Sequence, residues 1–287
     1  MIDWASQQTI NCHSCNHPAK VCSGSCQECL HEIHYWHNNP KPIRRDCYGC
    51  DRLVFEYVKS YTERYYQNIL SACECIDLSQ FDRFNILSIG CGASPDLMAF
   101  EELARGRQIF YRGIDKIDQW HGFHELIMSY TNNSNITVDF QQSDIFNPVG
   151  RKRTEIFNVV VMQYLISSIW CGLETKGRSR SCKEQEVRKV FAGVIETALY
   201  RWSESRCPTP FLIIINDNDS ASTGRKQFYD LLDMLVENDY YGSAYINSNF
   251  IQDDMSDRDN KGFEGFDFYE SNNHSNRSAT LTIEVRK

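Results

Sequence analysis

No run of about 20 apolar residues occurs anywhere in the chain, so no membrane-spanning helix is expected. The first ten residues, MIDWASQQTI, lack the basic flank and apolar stretch of a secretory signal. A basic surplus is missing too. Thirty Lys and Arg stand against 38 Asp and Glu, and the formal net charge of −8 opposes binding of duplex nucleic acid by bulk electrostatics. No internal repeat is visible. Without an export signal, the 13 cysteines read as reduced thiols and metal ligands of a cytoplasmic protein, not as disulfides. A hydrophobic content of 41 % with 24 % charged residues argues against disorder throughout, and 287 residues suit one large domain with an appendage.

Cysteine is plentiful only at the start, where seven of the 13 precede Asp51 together with five of the eight histidines. The order is Cys12-x2-Cys15-x6-Cys22-x3-Cys26-x2-Cys29, then Cys47-x2-Cys50. A CxxC turn brings two thiolates onto one tetrahedral ion, with backbone amides free to stabilise the sulfur charge. Fifty residues with few large apolar side chains gain their stability from such a metal. Residues 1–50 therefore read as a zinc module holding about two structural ions. Its eight ligands are Cys12, Cys15, Cys22, Cys26, Cys29, Cys47, Cys50 and one histidine, His34, with His13, His17, His31 and His37 as competitors. A cluster with a bridging thiolate, an iron–sulfur cluster and free buried cysteines are the other readings of the same spacing.

Residues 51–79 read as a connecting helix, with Val54, Tyr57, Val58, Tyr61, Tyr65 and Ile69 at helical spacing. From residue 80 to 287, strand-like and helix-like segments alternate, the pattern of a parallel sheet covered on both faces. Strands are predicted at 85–89, 109–114, 136–141, 156–162, 211–215, 243–249 and 279–285. Helices are predicted near 95–105, 119–130, 184–204 and 221–239, and residues 250–277 read as a long polar loop. The fold expected is α/β, a doubly wound, seven-stranded, mostly parallel sheet closed by an antiparallel hairpin. Functional residues then belong just after the strands, near the switch in strand order.

The segment FNILSIGCGASPDL, residues 84–97, carries the clearest signal. An apolar strand runs into Gly90-Cys91-Gly92, whose glycines permit a sharp turn and close approach of a ligand. Ser94 is placed as N-cap and Pro95 in the first turn of the following helix, whose free amides suit an anionic carboxylate. Pro95 stands where a dinucleotide fingerprint has its third glycine, which disfavours NAD.

This loop resembles motif I of class I S-adenosylmethionine-dependent methyltransferases, with Ser88 in place of the usual acid and Ser94 in place of the last glycine. The resemblance covers roughly residues 80–250 and implies a cofactor site built from Ser88, Gly90, Cys91, Gly92, Asp115, Lys116, Asp144, Ile145 and Gln163. Asp115, at the end of strand two, corresponds to the acid that holds the ribose hydroxyls. Asp144, after strand three, corresponds to the acid beside the adenine amino group. Gln163 and Tyr164, after strand four, occupy the reaction-specific position, and are expected to orient an acceptor nitrogen or oxygen, or else to pack beneath the cofactor.

Neither the Asn/Asp-Pro-Pro-Tyr motif nor a Pro-Cys nucleophile is present. The acceptor, whether RNA, protein or small molecule, is left open. Lys176, Arg178, Arg180 and Lys183 read as a cationic loop on the ligand side, suited to an anionic acceptor or simply solvated. Zinc modules ahead of such domains are similar in arrangement to those of some ribosomal-RNA methyltransferases, and protein recognition by the module is equally open. The alternative is a catalytically silent methyltransferase-like domain acting as a zinc-containing interaction subunit.

Overall fold

A computed structural model describes residues 51–74, 76–131, 135–145, 155–174, 177–218, 225–237, 245–250, 268–270 and 277–286. The zinc-ligand candidates Cys12, Cys15, Cys22, Cys26, Cys29, His34, Cys47 and Cys50 lie outside these residues, as does Lys176. Among the described residues no group of His, Cys, Asp and Glu could hold a metal ion, and no helix is long and apolar enough to cross a membrane.

Helix α1 spans Asp51–Ala72 and leads into β1 at Arg83–Ile89, α2 at Pro95–Ala104 and β2 at Gln108–Asp115. Helix α3 follows at His121–Thr131, then β3 at Ile136–Gln142, β4 at Val159–Gln163 and α4 at Leu165–Glu174. Helix α5, Arg180–Val190, passes through a π-helical segment, Phe191–Glu196, into α6, Thr197–Ser203. The chain continues with β5 at Phe211–Asn218, α7 at Arg225–Glu237, β6 at Tyr245–Phe250, β7 at Phe268–Glu270 and β8 at Arg277–Arg286.

The sheet order is β3-β2-β1-β4-β5-β8-β6, with β7 paired to β8. Strands β3, β2, β1, β4 and β5 run parallel, and β8 is antiparallel to β5, β6 and β7. β5 is buried from Phe211 to Asp217, the near-continuous apolar run expected of a strand covered on both faces. Two apolar clusters flank the sheet. One contains Phe191, Ile195, Leu199, Trp202, Phe228 and Leu231, and the other Ile69, Phe81, Phe84, Phe100 and Tyr111.

Three details differ from the sequence reading. The polar stretch 250–277 contains a short strand, β7, because β8 offers it an edge to pair with. Strand four begins at Val159, since Ile156 and Asn158 are used in cross-links: the Asn85 amide donates to Ile156 O, and Asn158 Oδ1 accepts from Asn85 N. The third is α4, which the sequence pattern misses. Its residues LISSIWCGLE are mostly apolar with no charge before Glu174, and its start is fixed from outside, by Asp217 Oδ2 accepting from Ser167 N at 3.0 Å.

Candidate active site

The strand order reverses at β1, which lies between β2 and β4. A crevice is expected there, outside the carboxyl ends of β1 and β4. The glycine loop leaves β1 at that point, and Gln163 ends β4 beside it. Gly90 (φ +68°) and Gly92 (φ +50°) both adopt left-handed backbone, which glycine reaches without a Cβ penalty. A Cβ at Gly90 would stand 3.1 Å from Leu165 Cδ1. The loop is tied to β2, because Gly90 N and Cys91 N both donate to Ile114 O, at 2.8 and 3.2 Å.

Asp115 completes this tie. Gly92 N donates to its Oδ2 and Ile117 N to its Oδ1, each at 2.9 Å, so one carboxylate bridges the ends of two neighbouring strands. Burial pushes its carboxyl up from the ordinary range, against the opposing pull of those amides. Behind the loop, Gly113 faces Cys91. A Cβ on Gly113 would lie 2.8 Å from Cys91 Sγ and 2.8 Å from Phe140 Cδ1. Cys91 is buried, and burial raises its thiol well above the usual range, which leaves it an inert packing group. His124 Nε2 lies 2.8 Å from Gly92 O, and its ring stacks on Phe140 with centroids 3.9 Å apart. Burial lowers the His124 imidazole to about 4, so near neutral pH the ring is uncharged and its N–H donates to the carbonyl.

The loop and helix α1 enclose a cleft of about 390 Å³, part of it open to solvent. Its walls include Ser88, Gly90, Cys91, Gly92, Asp96 and Gln163 from the sheet side, and Tyr57, Thr62 and Tyr65 from α1. The sequence reading treats α1 as a connector and omits these three residues. The helix does more than connect: Val54 and Val58 pack with Ala93, Trp120 and Phe123, so the helix rests on the glycine loop. Tyrosines at positions 57, 61 and 65 share one face of α1, and that spacing is the one signal that points to them.

Other predicted residues are placed as follows. Gln163 lines the cleft, with its amide donating to Tyr65 O at 2.9 Å and to Asn216 Oδ1 at 3.3 Å. Tyr164 has φ +53° and is buried; its ring stacks on Tyr65 with centroids 4.2 Å apart, and its hydroxyl accepts from Asn68 Nδ2 at 3.0 Å. Lys116 and Asp144 are exposed, and Ile145 packs against the core. Neither these last three nor Asp115 lines the cleft, although Asp115 touches its wall through Gly92.

Ser94 does stand at the N-cap position of α2, but its φ of +58° is left-handed and its side chain makes no capping bond. A capping side chain normally hangs from extended backbone, which the loop denies it here. The cationic loop is also corrected. Ser179 caps α5, so Arg180 and Lys183 are helical; Arg180 pairs with Glu184, and Lys183 is 6 % exposed with its ammonium 5.1 Å from the Trp170 ring centre. Of the described cations in that stretch, Arg178 remains in an exposed turn.

Buried polar atoms without a partner lie around the loop. The buried Ser94 Oγ, Asp96 Oδ2 and Trp120 Nε1 have no hydrogen-bond partner, and the Trp120 ring lies 3.6 Å from a Cβ built at Gly92. Buried polar atoms are normally satisfied, and of these three residues Asp96 lines the cleft.

No known family matches the chain, and no curated protein does. Among solved structures the chain is similar to a plantazolicin methyltransferase in complex with a triazolic desmethylPZN analog and SAH, at 12 % identity and a TM-score of 0.49, covering 91 % of this chain and 97 % of that one. It is similar to a second plantazolicin methyltransferase in complex with SAH, at 14 % identity and a TM-score of 0.44, covering 91 % and 99 %. It is also similar to magnesium protoporphyrin IX methyltransferase from Synechocystis PCC 6803 with bound SAM, at 9 % identity and a TM-score of 0.43, covering 89 % and 91 %.

Proposed function

We propose that this protein is an S-adenosylmethionine-dependent methyltransferase acting on a nitrogen or oxygen acceptor, with its active site in the cleft between the glycine loop and α1. The observation that carries the reading is the loop itself: Gly90 and Gly92, both left-handed, sit at the strand-order switch, and Gly92 N donates to the β2 carboxylate of Asp115. A backbone that close to the cleft leaves room for a ligand, and an acid at the end of β2 suits a pair of vicinal hydroxyls.

The cofactor, when bound, supplies an electrophilic methyl group on a sulfonium sulfur. Asp115 would accept from the ribose hydroxyls, Ser88 and the loop from Gly90 to Gly92 would hold the amino-acid end, and Tyr57 and Tyr65 would cover the site. Asp144, Ile145 and Lys116 are proposed for the adenine side, beyond the cleft. Gln163 has an amide whose partners, Tyr65 O and Asn216, are exchangeable for an acceptor, so positioning of the acceptor is its proposed role. Tyr164 acts indirectly in this reading, by holding α1 over the cleft through Tyr65 and Asn68. The zinc assignment of residues 12–50, as an RNA- or protein-recognition module, belongs to the same proposal.

Titration calorimetry with S-adenosylmethionine and S-adenosylhomocysteine tests it. Micromolar binding that is lost in Asp115→Ala is the expected result. No heat with either ligand would overturn the reading in favour of a non-catalytic interaction subunit.

A further inference from the structure

Asp96 sits in the first turn of α2 and is 1 % exposed. Its Oδ1 accepts from the Tyr111 hydroxyl at 3.0 Å, while Oδ2 has no hydrogen-bond partner. The side chain lines the cleft together with Ser88, Gly90 and Gly92. A buried carboxylate oxygen with nothing to bind is costly, and the usual remedy is a cation. None of the cleft-lining residues is Lys, Arg or His, so the protein provides none at this wall. Burial accordingly pushes the Asp96 carboxyl up to about 6, against the pull of the Ser88 and Tyr111 hydroxyls.

The cation has to come with the ligand. A hard divalent ion wants about six oxygen ligands, several of them anionic or carbonyl, and Asp96 is the one carboxylate in the cleft wall. An ammonium group asks for far less: three acceptors in rough tetrahedral directions, which Asp96 Oδ2 and the Ser88 hydroxyl begin to supply. The adjoining amides at the start of α2 favour an anion. A carboxylate within the first turn of a helix thus sets partners for both charges of an α-amino acid side by side.

We propose that Asp96 binds the ammonium group of the cofactor's amino-acid end, in a subsite shared with Ser88, an inference that rests on the methyltransferase reading. The acid that Ser88 lacks is then supplied from a different element, the first turn of α2, and Tyr111 on β2 fixes the carboxylate's orientation.

The test is calorimetry with three ligands: S-adenosylhomocysteine, its deamino analogue with hydrogen in place of the ammonium, and 5′-methylthioadenosine, which lacks the amino-acid end. Wild type should prefer S-adenosylhomocysteine over the deamino analogue by at least about tenfold. Asp96→Asn should remove most of that preference and leave methylthioadenosine affinity unchanged. Asp96→Ser is the second variant should the amide fail to fold, and the wild-type preference is measurable regardless. A wild type that binds both amino-acid ligands equally, or variants that keep the preference, would overturn the subsite while leaving the cofactor reading standing. A wild type that binds neither S-adenosylhomocysteine nor methylthioadenosine would overturn the cofactor reading and the subsite with it.

Discussion

The Gly92 amide donates to Asp115 Oδ2 across 2.9 Å, which makes the acid at the end of β2 a splint for the glycine loop as well as a candidate ligand contact. With Ile117 N on Oδ1, both oxygens already have one donor, and each keeps a second lone pair for a hydroxyl.

Asp115→Ala should therefore act twice. Affinity for S-adenosylmethionine falls by ~1.5–3 kcal/mol, the scale of charge-assisted hydrogen bonds, and the melting temperature of the ligand-free protein falls too, because the loop loses its splint. Calorimetry and thermal melting separate the two. Unchanged affinity would put the ribose elsewhere.

Gly113→Ala should destabilise the protein by about 1–3 kcal/mol, the usual cost of overpacking, since its methyl group meets Cys91 Sγ and the Phe140 ring inside contact distance. Denaturant unfolding measures it. Adding Cys91→Ala should recover part of the loss but not all, because Phe140 remains.

Asn68 and Tyr164 offer a double-mutant cycle. Asn68→Ala removes a buried hydrogen bond to the Tyr164 hydroxyl and should cost about 1–2 kcal/mol. Tyr164→Phe should cost less, and the two losses should not add, with a coupling of roughly 0.5–1.5 kcal/mol. Additive losses would mean that the bond contributes nothing to docking α1.

His124 gives a pH dependence of known sign. Its folded value of about 4 lies below the ordinary 6.5, so the native state binds fewer protons than the unfolded chain between those limits. Its contribution is complete above pH 6.5 and is lost as the pH falls toward 4. Wild type should accordingly lose more stability than His124→Phe on acidification from about pH 7.5 to about pH 5. Parallel stability curves would show that the ring is protonated in the folded state.

Elemental analysis of the purified chain should find about two zinc ions, lost on Cys47→Ser with Cys50→Ser. Iron with a visible charge-transfer band would replace that assignment by a cluster.

Much of this was legible before any coordinates. The alternation of apolar strands and amphipathic helices identified the mostly parallel sheet, because strands buried on both faces must be apolar throughout. Gly90 and Gly92 were legible because each meets a backbone demand that few residue types satisfy, whereas Asp115 came from the resemblance and its tie to the Gly92 and Ile117 amides was not in the pattern. The roof of the cleft was not. Helical spacing pointed to a connecting helix over residues 51–79, which ends at Ala72, but only tertiary packing determines that Tyr57 and Tyr65 lie over the loop. Lys183 misled for a related reason. Charge suggested solvent, yet Lys183, Val187 and Val190 fall at helical spacing on one buried face, with the aliphatic stem inside and the ammonium against Trp170. Asp96 stands three residues before Ala99 in an ordinary helix start, and nothing in the sequence distinguishes it from a solvated first-turn acid.

The position of β8 between β5 and β6 has a consequence for the chain as it emerges from a ribosome. The apolar run Phe211–Ile215 is made long before its outer neighbour, since 58 residues lie between Asn218 and Arg277. At about 5–20 residues per second, that edge of β5 stays bare for roughly 3–12 s. An unpaired, charge-free β edge is a template for pairing with a neighbouring nascent chain. Yield during synthesis, more than the stability of the finished fold, should therefore depend on holdase chaperones, and a lysine replacing one of the isoleucines of β5 would relieve the first problem only by destroying the second.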